Sequence, residues 1–331
     1  MSVADLRMEY VVLDYMLRFP IGPLRGLAPA LRVELEKLTQ ALVGKITAEQ
    51  VSSLLTQFQT ISVFVPGTSQ PLPAGQMGPP APKQVTFHAA YYINTDAAKA
   101  HVQSARDASQ FSKIVKAVNA SGSPSTIQSG GKAYGGGSAA LVGKSTPDNV
   151  RQFTQEALNN GAVRKYALQQ GTLPASKQLS DLSDGDAAAV VQSWVLDNGV
   201  GVDCSGFVLQ AAIKARDEVR KELRALGVPE GKLPKALSHE ERNAKSFESG
   251  PLVAHPTDLQ PGDAWVLNSG KHVKIVTAVR RASNAGGDPV IEIDTAESAG
   301  DSTHTAKGPV AGTRQTRSLT VFGLGGSFHR I

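Results

Sequence analysis

Beyond a long, charged helical segment that opens at Cys204, the chain turns to β-branched runs separated by tight turns and stays so to its last residue. The first run is Asp263-Ala264-Trp265-Val266-Leu267, introduced by Leu259-Gln260-Pro261-Gly262. The turn Asn268-Ser269-Gly270 leads to His272-Val273-Lys274-Ile275-Val276-Thr277-Ala278-Val279. A Gly- and Asn-rich turn over 282–289 then separates this from Val290-Ile291-Glu292-Ile293-Asp294-Thr295. Ser318-Leu319-Thr320-Val321-Phe322 and Ser327-Phe328-His329-Arg330-Ile331 complete the set. Ahead of them, 149–169, 186–196 and 204–224 carry apolar residues at helical spacing. Helices followed by consecutive strands predict an α+β domain in which N-terminal helices pack on an antiparallel sheet. The polar stretch 230–256 reads as an insertion that either rims a cleft or is a plain surface excursion.

The 331 residues suggest about two domains. A mainly helical N-terminal region is expected over 1–65: an amphipathic helix within 1–20, helical spacing over 27–58, and Thr47 capping the helix that contains Val51, Leu54, Leu55 and Phe58. Six prolines make 66–82 an extended linker. A small strand–helix segment (strand 85–93, helix 96–118) fills 83–120, and a Gly/Ser-rich linker fills 121–147, leaving 148–331 as the principal domain. Within the second linker, Gly143-Lys144-Ser145 superficially matches the end of a phosphate-binding loop. The match fails because Ser138 stands where its first glycine should be, no strong strand precedes it, and Pro147 is expected to stop a following helix. No cofactor and no metal site is expected.

The chain has one cysteine, so an intramolecular disulfide is excluded. It lies in Asp203-Cys204-Ser205-Gly206-Phe207, where a Gly/Val loop gives way to the amphipathic helix. Asp203 is a good N-cap, which puts Cys204 in the first turn, where unpaired N–H groups and the dipole favour thiolate over thiol. A lone cysteine is more often a small buried hydrophobe; this context favours a nucleophile. A nucleophilic cysteine needs a base. Among seven histidines, His272 is the one at the first position of a well-formed strand, held where a ring meets a neighbouring helix start. A third group should orient that ring. If Arg280 and Pro289 flank the 282–289 turn, His272 faces Glu297. Asp294 stands in reserve, within a slip of a few residues.

These residues resemble the NlpC-type cell-wall peptidases, compact papain-like cysteine hydrolases. The resemblance rests on Asp203-Cys204-Ser205-Gly206-Phe207, then Pro261-Gly262-Asp263, then His272-Val273-Lys274-Ile275-Val276, in the family's order. It covers 148–331 and implies an amide hydrolase acting on peptide stems of peptidoglycan, with Cys204 as nucleophile and His272 as base. Two departures stand out. The family's tyrosine ahead of the cysteine has no counterpart in 192–199, where Trp194 is the aromatic residue. The third residue, commonly His, Asn or Gln in the family, has only acidic candidates here.

Three functions follow as expectations. The first is a cysteine hydrolase of peptidoglycan stem peptides, made in the cytoplasm without a cleavable signal peptide and exported as an antibacterial effector, or carried by a phage-like particle, to act in the periplasm or wall of a target cell. A secretion apparatus or an immunity protein would then be its partner. The second is a papain-like protease, deamidase or acyltransferase with a substrate outside the cell wall. The third is a non-catalytic binding module. A net charge of +5 suits anionic polymers such as wall components. The basic residues are dispersed and no nucleic-acid-binding motif appears, which argues against DNA or RNA. No apolar run approaches the roughly 18–20 residues of a membrane span.

Overall fold

A computed structural model describes residues 46–67, 82–91, 108–120, 127–129, 132–134, 140–141, 143–225, 228–233, 236–237, 243–300, 306–311, 315–318 and 326–331, with scattered helical positions between 9 and 34. Most of the helix expected within 1–20, most of 27–45, and the first part of the helix expected over 96–118 lie outside the described residues.

The chain is α+β. Helix α1 (Ala48–Gln59) starts at Thr47, whose hydroxyl accepts from the Gln50 N–H while the Gln50 side chain accepts from the Thr47 N–H. This reciprocal pair satisfies two donors that a helix start otherwise leaves unbonded. Strands β1 (Ile61–Val65) and β2 (Lys83–Phe87) then pair antiparallel, Ile61 with Phe87 and Val65 with Lys83. The proline-rich stretch therefore connects two paired strands. The strand expected over 85–93 is broken at His88 and Ala89, where the Ala89 N–H turns away to the Phe58 carbonyl; it resumes as β3 (Ala90–Tyr91). Helix α2 (Ala108–Ala120) follows, then a small hairpin of β4 (Ile127–Ser129) and β5 (Lys132–Tyr134) inside the Gly/Ser-rich stretch.

Pro147 does not stop a helix; it starts one. Thr146 caps α3 (Pro147–Asn159), with Pro147 at the first helical position. Proline's fixed φ suits that place, and its missing N–H is one that would find no intrahelical partner anyway. The helix expected over 149–169 is two helices, because the backbone takes φ +78° at Gly161 before α4 (Ala162–Gln169). Next come α5 (Asp184–Asp197), the short strand β6 (Gly201–Val202) and the long α6 (Cys204–Ala225).

The sheet is antiparallel. Among the described residues its order is β10 (Ala306–Ala311), β9 (Pro289–Gly300), β8 (His272–Ser283), β7 (Ala264–Leu267), β12 (Gly326–His329). Strand β11 (Gln315–Ser318) pairs with the first half of β9, and β10 with the second. Helix α6 packs on β8 and β9. The insertion over 230–256 contributes to the packing: its 3-10 turn Ala244–Ser249 buries Ala244 and Phe247, and Leu252 bridges to His329.

One buried core runs through both parts of the chain. Val51, Leu54 and Phe58 of α1 and Val63 and Val85 of the first hairpin belong to the same cluster as Cys204, Phe207, Val273 and Ile275. The rings of Phe58 and Phe207 sit 6.0 Å apart. Burying a side chain of that size contributes about 2–3 kcal/mol, so the front helix is held by the helix that carries the cysteine. Trp194, 2% exposed, stacks on Phe111 and Phe153 and is a core aromatic.

The Pro261-Gly262-Asp263 turn is a structural staple. The Asp263 carboxylate accepts from the Gln260 N–H and from Arg330 Nε, each at 2.9 Å. Burial pushes its pKa up while Arg330 holds it down. His329 is bonded to the Gly250 carbonyl and Ser327 Oγ, so both of its ring nitrogens are engaged in fastening the C-terminus.

Candidate active site

Cys204 is the first residue of α6 and is 6% exposed. Asp203 caps that helix as its residue type suggests: Oδ1 accepts from the Gly206 N–H, and its carbonyl accepts from the Phe207 N–H. Strand β6 immediately before the cap runs parallel to β3, Gly201 beside Ala90 and Val202 beside Tyr91. The approach to the cysteine is thus fixed by backbone delivered from far earlier in the chain.

His272 opens β8 directly after a turn in which Asn268, Ser269 and Gly270 all have positive φ. Such a run is uncommon for non-glycine residues, and it delivers His272 to its partner Leu267 at the start of the ladder. Along the strand Val273 and Ile275 are buried while His272 and Lys274 are half-buried, the period of two that places those last two on one side.

The structure brings Cys204, His272 and Glu297 together. His272 Nε2 is hydrogen-bonded to Glu297 Oε2, and Lys274 Nζ donates to Glu297 Oε1 at 2.7 Å. Cys204 lies close enough to His272 to act directly on the protonation of the ring. Burial of the ring is the largest single influence on His272 and acts to lower its pKa. The nearby Cys204 and the bond to the Glu297 carboxylate together outweigh it and push the pKa up to about 9. Burial likewise acts to raise Glu297, but the bonds and charges of His272 and Lys274 hold it below the usual carboxylate range. At neutral pH the ring is therefore imidazolium between two acidic groups.

The register that delivers Glu297 differs from the expected one. Ser283, not Arg280, is the partner of Pro289. A bulge between Val276 and Ala278 then shifts the ladder by one, so that Ile275 faces Ala296. One step further, Glu297 lies opposite Lys274 and diagonal to His272, still within reach of a long side chain. Asp294 is not at the site. It faces Ala278, six residues along β8 from His272, and is paired with Arg280 at 2.5 Å.

Three contributors carry no recognisable signal in the sequence. Ser298 Oγ donates to the Val202 carbonyl at 2.7 Å, tying the strand of Glu297 to the loop of Cys204. Lys144, 4% exposed, donates to both carboxylate oxygens of Asp203, at 2.8 and 2.7 Å. Gly143 accepts the Asp203 N–H through its carbonyl at 2.8 Å. These last contacts explain why glycine follows Cys204-Ser205: a Cβ at Gly206 would lie 2.0 Å from the Gly143 oxygen. Gly206→Ala should therefore push residues 143–145 away and lower stability by about 1–3 kcal/mol, read from urea unfolding.

Among the described residues no group of His, Cys, Asp and Glu side chains could hold a metal ion, and no helix is long and apolar enough to cross a membrane. Comparison with protein-family models, curated proteins and solved structures gives no match. A buried sulfur at a helix start, a protonated ring beside it, and a carboxylate bonded to that ring's Nε2 can perform nucleophilic acyl transfer.

Proposed function

We propose that this protein is a cysteine hydrolase of amide bonds, of the papain-like NlpC type, and that its substrates are peptide stems of peptidoglycan. The observation that carries the reading is the His272 ring bridging Cys204 and Glu297. The Cys204 thiolate attacks the scissile carbonyl carbon, and backbone N–H groups at the head of α6 receive the developing oxyanion. His272 gives its proton to the leaving nitrogen as the C–N bond breaks, leaving a thioester on Cys204. Water, losing a proton to His272, then attacks the thioester, and the carboxylate product leaves as the thiolate returns. Glu297 holds the ring in one orientation and stabilises its cationic form; Lys274 fixes that carboxylate from the other side.

The wall substrate is supported by the order of the three motifs and by the net charge of +5. Export as an antibacterial effector follows as a delivery route for such an enzyme. Incubating the protein with isolated sacculi should release muropeptide fragments detectable by mass spectrometry, each bearing a newly freed amine. No release from sacculi, with turnover of a non-wall peptide or acyl donor, would instead favour a protease, deamidase or acyltransferase built on the same residues. Absence of both, with a Cys204 no more reactive than an ordinary thiol, would favour a binding module.

A further inference from the structure

The Gly143-Lys144-Ser145 stretch, unsuited to phosphate, has another use. Its lysine is buried against the helix start that carries the cysteine. Besides its two bonds to Asp203, Lys144 Nζ donates to Ser205 Oγ, which in turn donates to Asp203 Oδ1 at 2.9 Å. The lysine backbone is pinned as well. Its carbonyl accepts from Gln210 Nε2 at 3.2 Å, Ser145 Oγ donates to the Gly201 carbonyl, and residue 144 bridges to Val202.

The arrangement answers an electrostatic conflict. A carboxylate caps a helix well, but here it also places a full negative charge one residue from a sulfur that must itself become negative. Asn or Ser would cap equally well without that charge. With Asp in place, the favourable field of the helix end is opposed at close range, in surroundings where screening is weak.

We infer that Lys144 is a positioning residue for Cys204: it cancels the charge of the Asp203 cap while leaving the capping bond intact, so that the sulfur meets a helix end of positive character. The inference rests on Cys204 being the nucleophile. Its test, however, needs no substrate.

The test is the pH profile of iodoacetamide alkylation of the full chain, which reports on one site because the chain has one cysteine. Lys144→Met should move the midpoint upward by about one unit and slow alkylation near pH 7 about ten-fold, because the carboxylate is left uncompensated. Asp203→Asn keeps a cap and leaves the lysine charge, so its midpoint should move downward. The double variant carries neither charge and should return close to the native profile. Should Lys144→Met fail to fold, as judged by circular dichroism, the other two variants still decide. Opposite displacements that cancel are the expected result. An unmoved profile, or displacement in the same direction by every folded variant, would overturn the inference while leaving the hydrolase reading standing. A native Cys204 that reacts no faster than a free thiol would overturn both.

Discussion

Cys204→Ala should leave a folded protein with hydrolytic turnover reduced on the order of 10⁴- to 10⁶-fold. The expectation of intact folding comes from the site itself. Alanine is the best helix former and fits where cysteine sits in the first turn. The capping bonds of Asp203 and the contacts of Lys144 do not involve the sulfur. The loss of activity comes from removing the atom that must attack the carbonyl, for which neither His272 nor Glu297 can substitute. Muropeptide release and near-ultraviolet circular dichroism, measured on the same preparation, check both halves. Undiminished release by a folded Cys204→Ala protein would remove the nucleophile from the mechanism.

The second large effect is expected of Glu297→Gln: a fall in kcat/KM on the order of 10²- to 10⁴-fold at neutral pH, with the alkaline limb of the pH profile displaced toward lower pH. In the native protein His272 keeps its proton up to about pH 9. Activity that needs the imidazolium should therefore persist through pH 8 and decline as pH rises past 9. Glutamine keeps an acceptor for the ring but not the charge. Lys274, left with an uncompensated partner site, adds repulsion, so the ring loses its proton earlier. The sign for stability follows the same linkage. His272, raised in the folded state, contributes stability that is fully present below its ordinary value near 6.5 and lost as pH rises through about 9. Glu297, lowered in the folded state, contributes stability present above its ordinary value near 4.5 and lost as pH falls through the depressed one. The unfolding free energies of native and Glu297→Gln proteins should thus differ most between those limits, converge as pH falls through the depressed Glu297 value, and narrow without converging above about pH 9, where Lys274 still pairs with Glu297. A pH–rate profile unmoved by Glu297→Gln would mean that the carboxylate does not govern the ring.

Local chemistry was legible in the sequence wherever a residue's role is set by its immediate neighbours. Asp203 before an apolar helical run, Thr47 ahead of a helix, and a tight turn before His272 each form where the sequence places them. Roles set by distant partners were not legible. Lys144 meets Asp203 across 59 residues and Ser298 meets Val202 across 96, and neither pair bears a sequence pattern. Glu297 reaches His272 by a different register from the one the turn suggests. The hairpin closes three residues later than expected, the bulge takes one residue back, and a long side chain spans the remainder diagonally. Asp294, shorter and farther down the strand, had no such latitude and pairs with Arg280 instead. Pro147 starts a helix rather than stopping one because proline's penalty in a helix interior vanishes at the first position.

The parallel contact of β3 with β6 bears on any attempt to transplant this chemistry. A fragment cut at 148, where sequence composition invites the scissors, would carry Cys204, His272 and Glu297 but leave behind Ala90, Tyr91 and the lysine beneath the cap. The graft would keep its reactive trio and lose the masonry that aims it, so the portable unit is the body of the chain from about Ile46 onward rather than its back half.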